Sequence, residues 1–262
     1  MISSDLAIII LFVSVLLSFY FLIRKKKWNQ PKKKFPDSWR AILLEKVAFY
    51  KELESTKKPH FEYKVQEFLL NHKITGVQLE PSIEDKLLIA ASAVIPILSF
   101  PEWKYTNLQE VILYPDAFNM DFQFDPAYKD RKILGMVGTG YMDGKMILSL
   151  KALHKGFSNE TDKRNTAVHE FVHLIDKMDG RIDGIPAVLM ERQYLIPWLD
   201  MFARKIGEIH DGRSDINPYG GSSKIEFFAV AAEYFFERPQ LLKKKHPELY
   251  KALSRIFNPA AH

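Results

Sequence analysis

From Leu6 to Ile23 the chain is apolar without a break except at Ser14 and Ser18. These 18 residues are about enough to cross a bilayer as a helix. Arg24 to Lys27 follow at once and Lys32 to Lys34 come soon after, whereas Met1 to Asp5 carry no positive charge. A cleaved signal peptide has its charge in front and a small-residue cleavage site behind, so the pattern predicts a retained transmembrane helix over residues 1–23. By the positive-inside tendency the basic flank stays cytoplasmic. The large domain is then expected on the cytoplasmic face of the cell (inner) membrane, with lipid headgroups as an additional partner of the lysines. Residues 24–38, with Pro31 and Pro36 among lysines, read as a basic juxtamembrane linker, and residues 39–262 as one domain.

Within that domain the apolar spacing predicts helices over Trp39 to Leu53 and Phe61 to Asn71. Glu84 to Leu98 is apolar nearly throughout, but it starts among charges and contains Pro96, which favours a buried core helix over a second membrane span. Short β-type runs lie at Ile74 to Leu79, Val111 to Tyr114, Leu134 to Gly138 and Lys145 to Leu150. Asp143-Gly144 between the last two signals a hairpin turn. A further helix is expected over Leu195 to Ile209, and Gly207 to Ser223, with four glycines and Pro218, reads mostly as loop. The expected class is α+β, mainly helical with a small sheet, and no internal repeat is visible.

Two segments carry the chemistry. In Asn165 to Asp176, Val168, Phe171, Val172 and Ile175 recur at helical spacing, and Asp179-Gly180 supplies a stop. His169, His173 and Asp176 fall on a different face of that helix. The second segment runs from Ser222 or Ser223, either of which can cap a helix, to Arg238-Pro239. It is apolar nearly all round, which predicts burial, yet it contains Glu226 and Glu233 seven residues apart on one face. A buried carboxylate without a partner costs several kcal/mol, so these two need cationic or hydrogen-bonding neighbours.

Composition narrows what those neighbours can be. The sequence has no cysteine, so disulfides and Cys-ligated metal are excluded and any zinc must be held by His, Asp or Glu. The formal charge of +5 resides in the N-terminal segment: residues 1–34 hold seven Lys/Arg and one acidic residue, the remainder 30 basic and 31 acidic. The main domain is therefore not basic, and no nucleic-acid partner is expected.

His169-Glu170-Phe-Val-His173 matches HExxH. Residues four apart on a helix stack one turn above each other, so both imidazoles project from one face and can share one Zn2+ ion. Catalytic zinc takes three protein ligands and keeps a fourth position open. A metzincin-type third ligand would need glycine at 176 and histidine at 179, where this chain has Asp176 and Asp179. Three carboxylates compete for the place: Glu226 first, because its buried helix otherwise lacks a charge partner, then Glu191, then Asp179. Asp176 or Glu233 could orient a ligand histidine through its second N–H. The remaining histidines, at 60, 72, 154, 210, 246 and 262, show no ligand spacing and read as surface or packing residues.

HEFVHLIDKMDG, followed by Tyr219 and EFFAVAAEYFF, resembles the Mlc titration factor A family of zinc-dependent peptidases. The stretch from Ile83 through Leu88-Ile89-Ala90-Ala91-Ser92-Ala93 to Val111-Ile112-Leu113-Tyr114-Pro115-Asp116 is similar to it too, so the likeness covers roughly Trp39 to Phe257. The apolar N-terminus lies outside it and departs from that pattern. Tyr-x6-Glu-Phe-Phe-Ala is also similar to the catalytic core of anthrax lethal factor. The resemblance implies a zincin-like domain of gluzincin type, with His169, His173 and Glu226 as metal ligands and Tyr219 near the reacting carbonyl. It implies peptidase activity, of aminopeptidase type in the family, with Glu170 as general base acting on a water that the zinc acidifies. Tyr219 would stabilise the oxyanion, and a peptide or protein substrate could lie along the sheet edge at Gly138 to Tyr141. The family also binds a sugar-responsive transcriptional repressor, which makes a regulator the alternative partner and sequestration the alternative function. Retention of Glu170 favours the enzyme, because a scaffold needs ligands but no base.

Overall fold

A computed structural model describes residues 28–159 and 162–259. The expected transmembrane helix lies outside the described residues, and among those described no helix is long and apolar enough to cross a membrane. The unit Pro31–His262 is mainly helical α+β, built around one small mixed sheet.

The first helices show where periodicity misleads. In place of one helix over Trp39 to Leu53 there are two, α1 (Asp37–Lys46) and α2 (Ala48–Glu52). Val47 between them is extended at φ −112 and ψ 94 and is buried, so the chain breaks the helix to put a β-branched side chain into the core. Phe35, at the end of the basic linker, is also buried and meets Trp39 edge to face at 5.7 Å. Helix α3 (Lys58–Asn71) begins one turn earlier than expected, with Pro59 in its first turn where the missing N–H is harmless. Strand β1 (Lys73–Gly76) is shorter than the apolar run, because Gln78 just beyond it has φ 58.

Helix α4 (Ile83–Val94) is buried along most of its length and starts in a full capping box between Ser82 and Asp85. At Pro96 it tightens into a single 3-10 turn, Ile95–Ile97, as a ring without an N–H requires. Strands β2 (Glu110–Tyr114), β3 (Gly135–Val137) and β4 (Lys145–Ser149) complete the sheet in the order β1-β2-β4-β3. The first three strands of that order run parallel, and β3 joins β4 antiparallel through the expected hairpin. The two edge strands are β1 and β3. The one in the hairpin, β3, spans Gly135–Val137 and stops short of the Gly138 to Tyr141 edge expected for a substrate, because Gly140–Met142 winds into a 3-10 turn.

Helix α5 (Leu150–Ser158) lies where the apolar pattern predicts no element; Ser149 ends β4 and caps it, its Oγ accepting from the Ala152 N–H at 3.2 Å. The HExxH segment forms α6 (Thr166–Asp176), α7 spans Leu195–His210, and α8 is Lys224–Glu237. The run from Gly207 to Ser223 is loop apart from the end of α7 and a 3-10 turn at Pro218–Gly221. Two further helices, α9 (Pro239–Lys245) and α10 (Pro247–Phe257), follow, each opened by the proline that ends its predecessor. Helix α6 lies between α4 and α8 with β3 and β4 along another flank, so its whole apolar stripe is buried.

Candidate metal centre

The site is assembled by α6 and α8. Asn165 caps α6, its Oδ1 accepting from the Val168 N–H at 3.1 Å, and the helix ends in a 3-10 turn closed by Gly180 at φ 94, a left-handed position suited to glycine. Ser223 caps α8 in the same way, its Oγ accepting from the Glu226 N–H at 3.1 Å. That cap places Glu226 in the first turn of α8, directly across from the imidazoles of α6.

His169 and His173 present Nε2 to each other at 3.0 Å with their rings crossed at 87°. Glu226 Oε2 lies 3.0 Å from the first Nε2 and 3.6 Å from the second. Among the described residues this is the one trio of such side chains whose ligand atoms converge, all within 4.8 Å. Asp179 and Glu191, the competing carboxylates, are exposed and outside the group. Glu191 instead lines a groove between α7 and α10.

The second nitrogen of His169 is fixed. Its Nδ1 donates to Glu233 Oε1 at 2.7 Å, and Glu233 Oε2 accepts the Asn165 N–H at 2.7 Å. Asn165 Nδ2 also donates to Glu237 at 3.2 Å. Of the two expected orienting carboxylates, Glu233 meets a histidine. Asp176 accepts instead from the Gly184 N–H at 2.8 Å, and its Oδ1 is buried without a hydrogen-bond partner, as is Nδ1 of His173. Asn165 and Glu237 join the site without being predicted from the sequence. The signal for Asn165 is its capping position before an apolar run.

Electrostatics reinforce the arrangement. Burial opposes charge on His169, yet Glu233 and Glu226 outweigh it and raise its pKa to about 10. Burial likewise opposes charge on Glu226, and the hydrogen bond from His169, with His173 3.6 Å away, holds it well below the usual carboxylate range. Glu170 is fully buried beside them; burial pushes its carboxyl up while His173 and His169 act in the other direction. Tyr219, in the 3-10 turn before α8, has its ring 6.1 Å from that of His169 and is 55% exposed. Its phenol is pushed up to about 12, by burial first and then by the negative charge of Glu226.

The family model for the glucose-regulated metallo-peptidases M90 matches residues 21–258. The chain belongs to that family. An uncharacterized protein of Synechocystis is 29% identical over 231 residues, covering 85% of this chain and 84% of the relative. The Mlc titration factor A of Pectobacterium atrosepticum is 23% identical over 252 residues, 89% of this chain and 91% of its own length. That of Yersinia enterocolitica is 25% identical over 246 residues, 88% of each.

Membership in this metallo-peptidase family implies a metal ion, and the residues present fit one. Nitrogens held at about 2.0–2.1 Å around a tetrahedral ion stand roughly 3.3 Å apart. The observed separations of 3.0, 3.0 and 3.6 Å bracket that spacing. With the imidazoles neutral, their two Nε2 lone pairs and the Glu226 oxygen face one point, and the carboxylates of Glu226 and Glu233 favour a cation there.

Proposed function

We propose that this protein is a zinc-dependent peptidase of zincin-like, gluzincin type, in which His169, His173 and Glu226 hold one Zn2+ and Glu170 is the general base. The observation that carries the reading is the convergence of those three ligand atoms beside a buried glutamate. Two imidazoles and a carboxylate make a donor set suited to zinc, and it leaves a fourth position open. When bound, the ion supplies an acidified water and a Lewis acid for the scissile carbonyl. Glu170 accepts the proton released and passes it to the leaving amine, a role helped by the upward push of burial on its carboxyl. Tyr219, exposed at the mouth of the group, donates to the oxygen on which negative charge develops. Glu233 holds the His169 ring in place through both steps. The substrate backbone pairs along the free edge of β3.

The reading extends to location: Leu6 to Ile23 anchors the chain and the peptidase domain, residues 39–262, works at the cytoplasmic face of the membrane. A reporter fused to the C-terminus tests this, and a periplasmic signal would overturn it. For the chemistry, wild type and Glu170→Gln are compared for bound zinc and for cleavage of short peptides. Zinc in both with cleavage by the wild type alone supports the enzyme; wild-type cleavage no greater than the variant's removes it.

The relatives' name favours a second reading, capture of the Mlc repressor with little or no turnover. The same pair of proteins separates the two. Equal binding of purified Mlc by both variants, together with an absence of cleavage, would establish sequestration.

A further inference from the structure

We infer that Gly135 is a positioning residue, whose missing side chain sets where the carboxylate of Glu170 sits. The kinetic part of this inference rests on the peptidase reading; the structural part does not.

A Cβ built on Gly135 would lie 2.6 Å from Cγ, 2.7 Å from Oε1 and 2.9 Å from Cδ of Glu170. These are closer than real Cβ contacts, so something must move when a methyl group is added. The strand has little room to retreat. Gly135 pairs with Leu148 in the antiparallel ladder, the Ser149 N–H donates to Leu134 O at 2.8 Å, and the Gly138 N–H donates to Lys145 O at 2.8 Å. From the other side, Lys177 at the end of α6 donates to Gly138 O at 2.8 Å and also pairs with Asp143. The hairpin is thus fastened both to β4 and to the helix that carries Glu170. The strand backbone is ordinary extended chain there, since Gly135 is not among the glycines with positive φ, so alanine meets no backbone strain. The element free to yield is the Glu170 side chain. Its carboxylate would be displaced while both zinc-binding imidazoles, on the same helix, keep their places.

The test uses the full chain loaded with zinc, carrying Gly135→Ala alone and combined with Glu170→Ala. Gly135→Ala should retain zinc as the wild type does and show kcat on a short peptide lower by roughly 100-fold with KM little changed, the size expected of a misplaced catalytic group. Its urea midpoint should fall relative to wild type, whereas the same substitution made in the Glu170→Ala background, where the clashing atoms are gone, should not lower the midpoint. Wild-type kcat in Gly135→Ala, or an equal midpoint change in both backgrounds, would overturn the assignment. If the wild type cleaves nothing, the peptidase reading fails, and the midpoints alone decide whether Gly135 places Glu170.

Discussion

Glu233 Oε1 accepts from His169 Nδ1 at 2.7 Å, so a carboxylate two turns along α8 from Glu226 grips the far side of an imidazole that Glu226 faces from the near side. The same carboxylate accepts the N–H of Asn165 at the start of α6. One buried group therefore both orients the ring and joins the two helices. In Glu233→Gln the amide has one acceptor oxygen for two donors, and its own N–H groups would face a donor. Zinc affinity should fall roughly 10–100-fold, as for other residues that orient a metal-binding histidine. A chelator competition read by zinc content checks it, and unchanged affinity would show that the ring needs no such support.

Ligand choice follows from where the three competing carboxylates lie. Glu226 points at both imidazoles, whereas Glu191 and Asp179 are exposed. Glu226→Ala should lose zinc under dialysis conditions in which Glu191→Ala and Asp179→Ala keep it. Because Glu226 is partly buried in the first turn of α8 with its carboxylate facing the two histidines, its loss should leave the helical circular dichroism intact. Zinc retained by Glu226→Ala would move the third ligand elsewhere.

The parts of this site that are legible in the sequence are those set by a single helix. His169, Glu170 and His173 follow from a period of 3.6, and Glu226 and Glu233 from charges placed on an otherwise apolar, buried helix. What escapes depends on contacts between elements. Val47 breaks a helix because the core reclaims its side chain, which no local pattern states. Gly135 resembles any strand glycine until α6 brings Glu170 against it, although glycine inside a strand is itself a mark of close approach. Helix α9 is only seven residues long and starts at a proline, so its spacing carries little signal. Helix α10, by contrast, buries Leu249, Leu253, Ile256 and Phe257 at a helical spacing that the sequence does display.

Tyr219 is more than half exposed, so its hydroxyl contributes little to stability, and its effect should fall on the reaction. Tyr219→Phe should lower kcat roughly 10²–10³-fold, the usual cost of one oxyanion donor, and change stability by less than about 0.5 kcal/mol. Zinc content should match the wild type. Steady-state kinetics on a short peptide beside a zinc assay measures both, and an unchanged kcat would leave Tyr219 as a packing residue over His169.

Asp176 makes the pH dependence of the metal-free protein testable. Burial pushes its carboxyl up to about 6; the Gly184 N–H opposes the shift, and Asp183 adds to it. The folded pKa therefore stands above the ordinary carboxylate value near 3.9, so between those two pH values the folded chain holds more protons than the unfolded one. Stability associated with this group is fully present below about pH 4 and is lost as pH rises through about 6. Other carboxylates titrate in the same window, so the effect is read as a difference from Asp176→Asn, which keeps an acceptor for Gly184 but cannot ionise. In urea denaturation of the zinc-free proteins, wild type should lose stability relative to the variant between pH 4 and 6 and run parallel to it above that range. Curves parallel throughout would show that the carboxyl titrates alike in both states, and that its unpartnered Oδ1 is solvated in the folded protein.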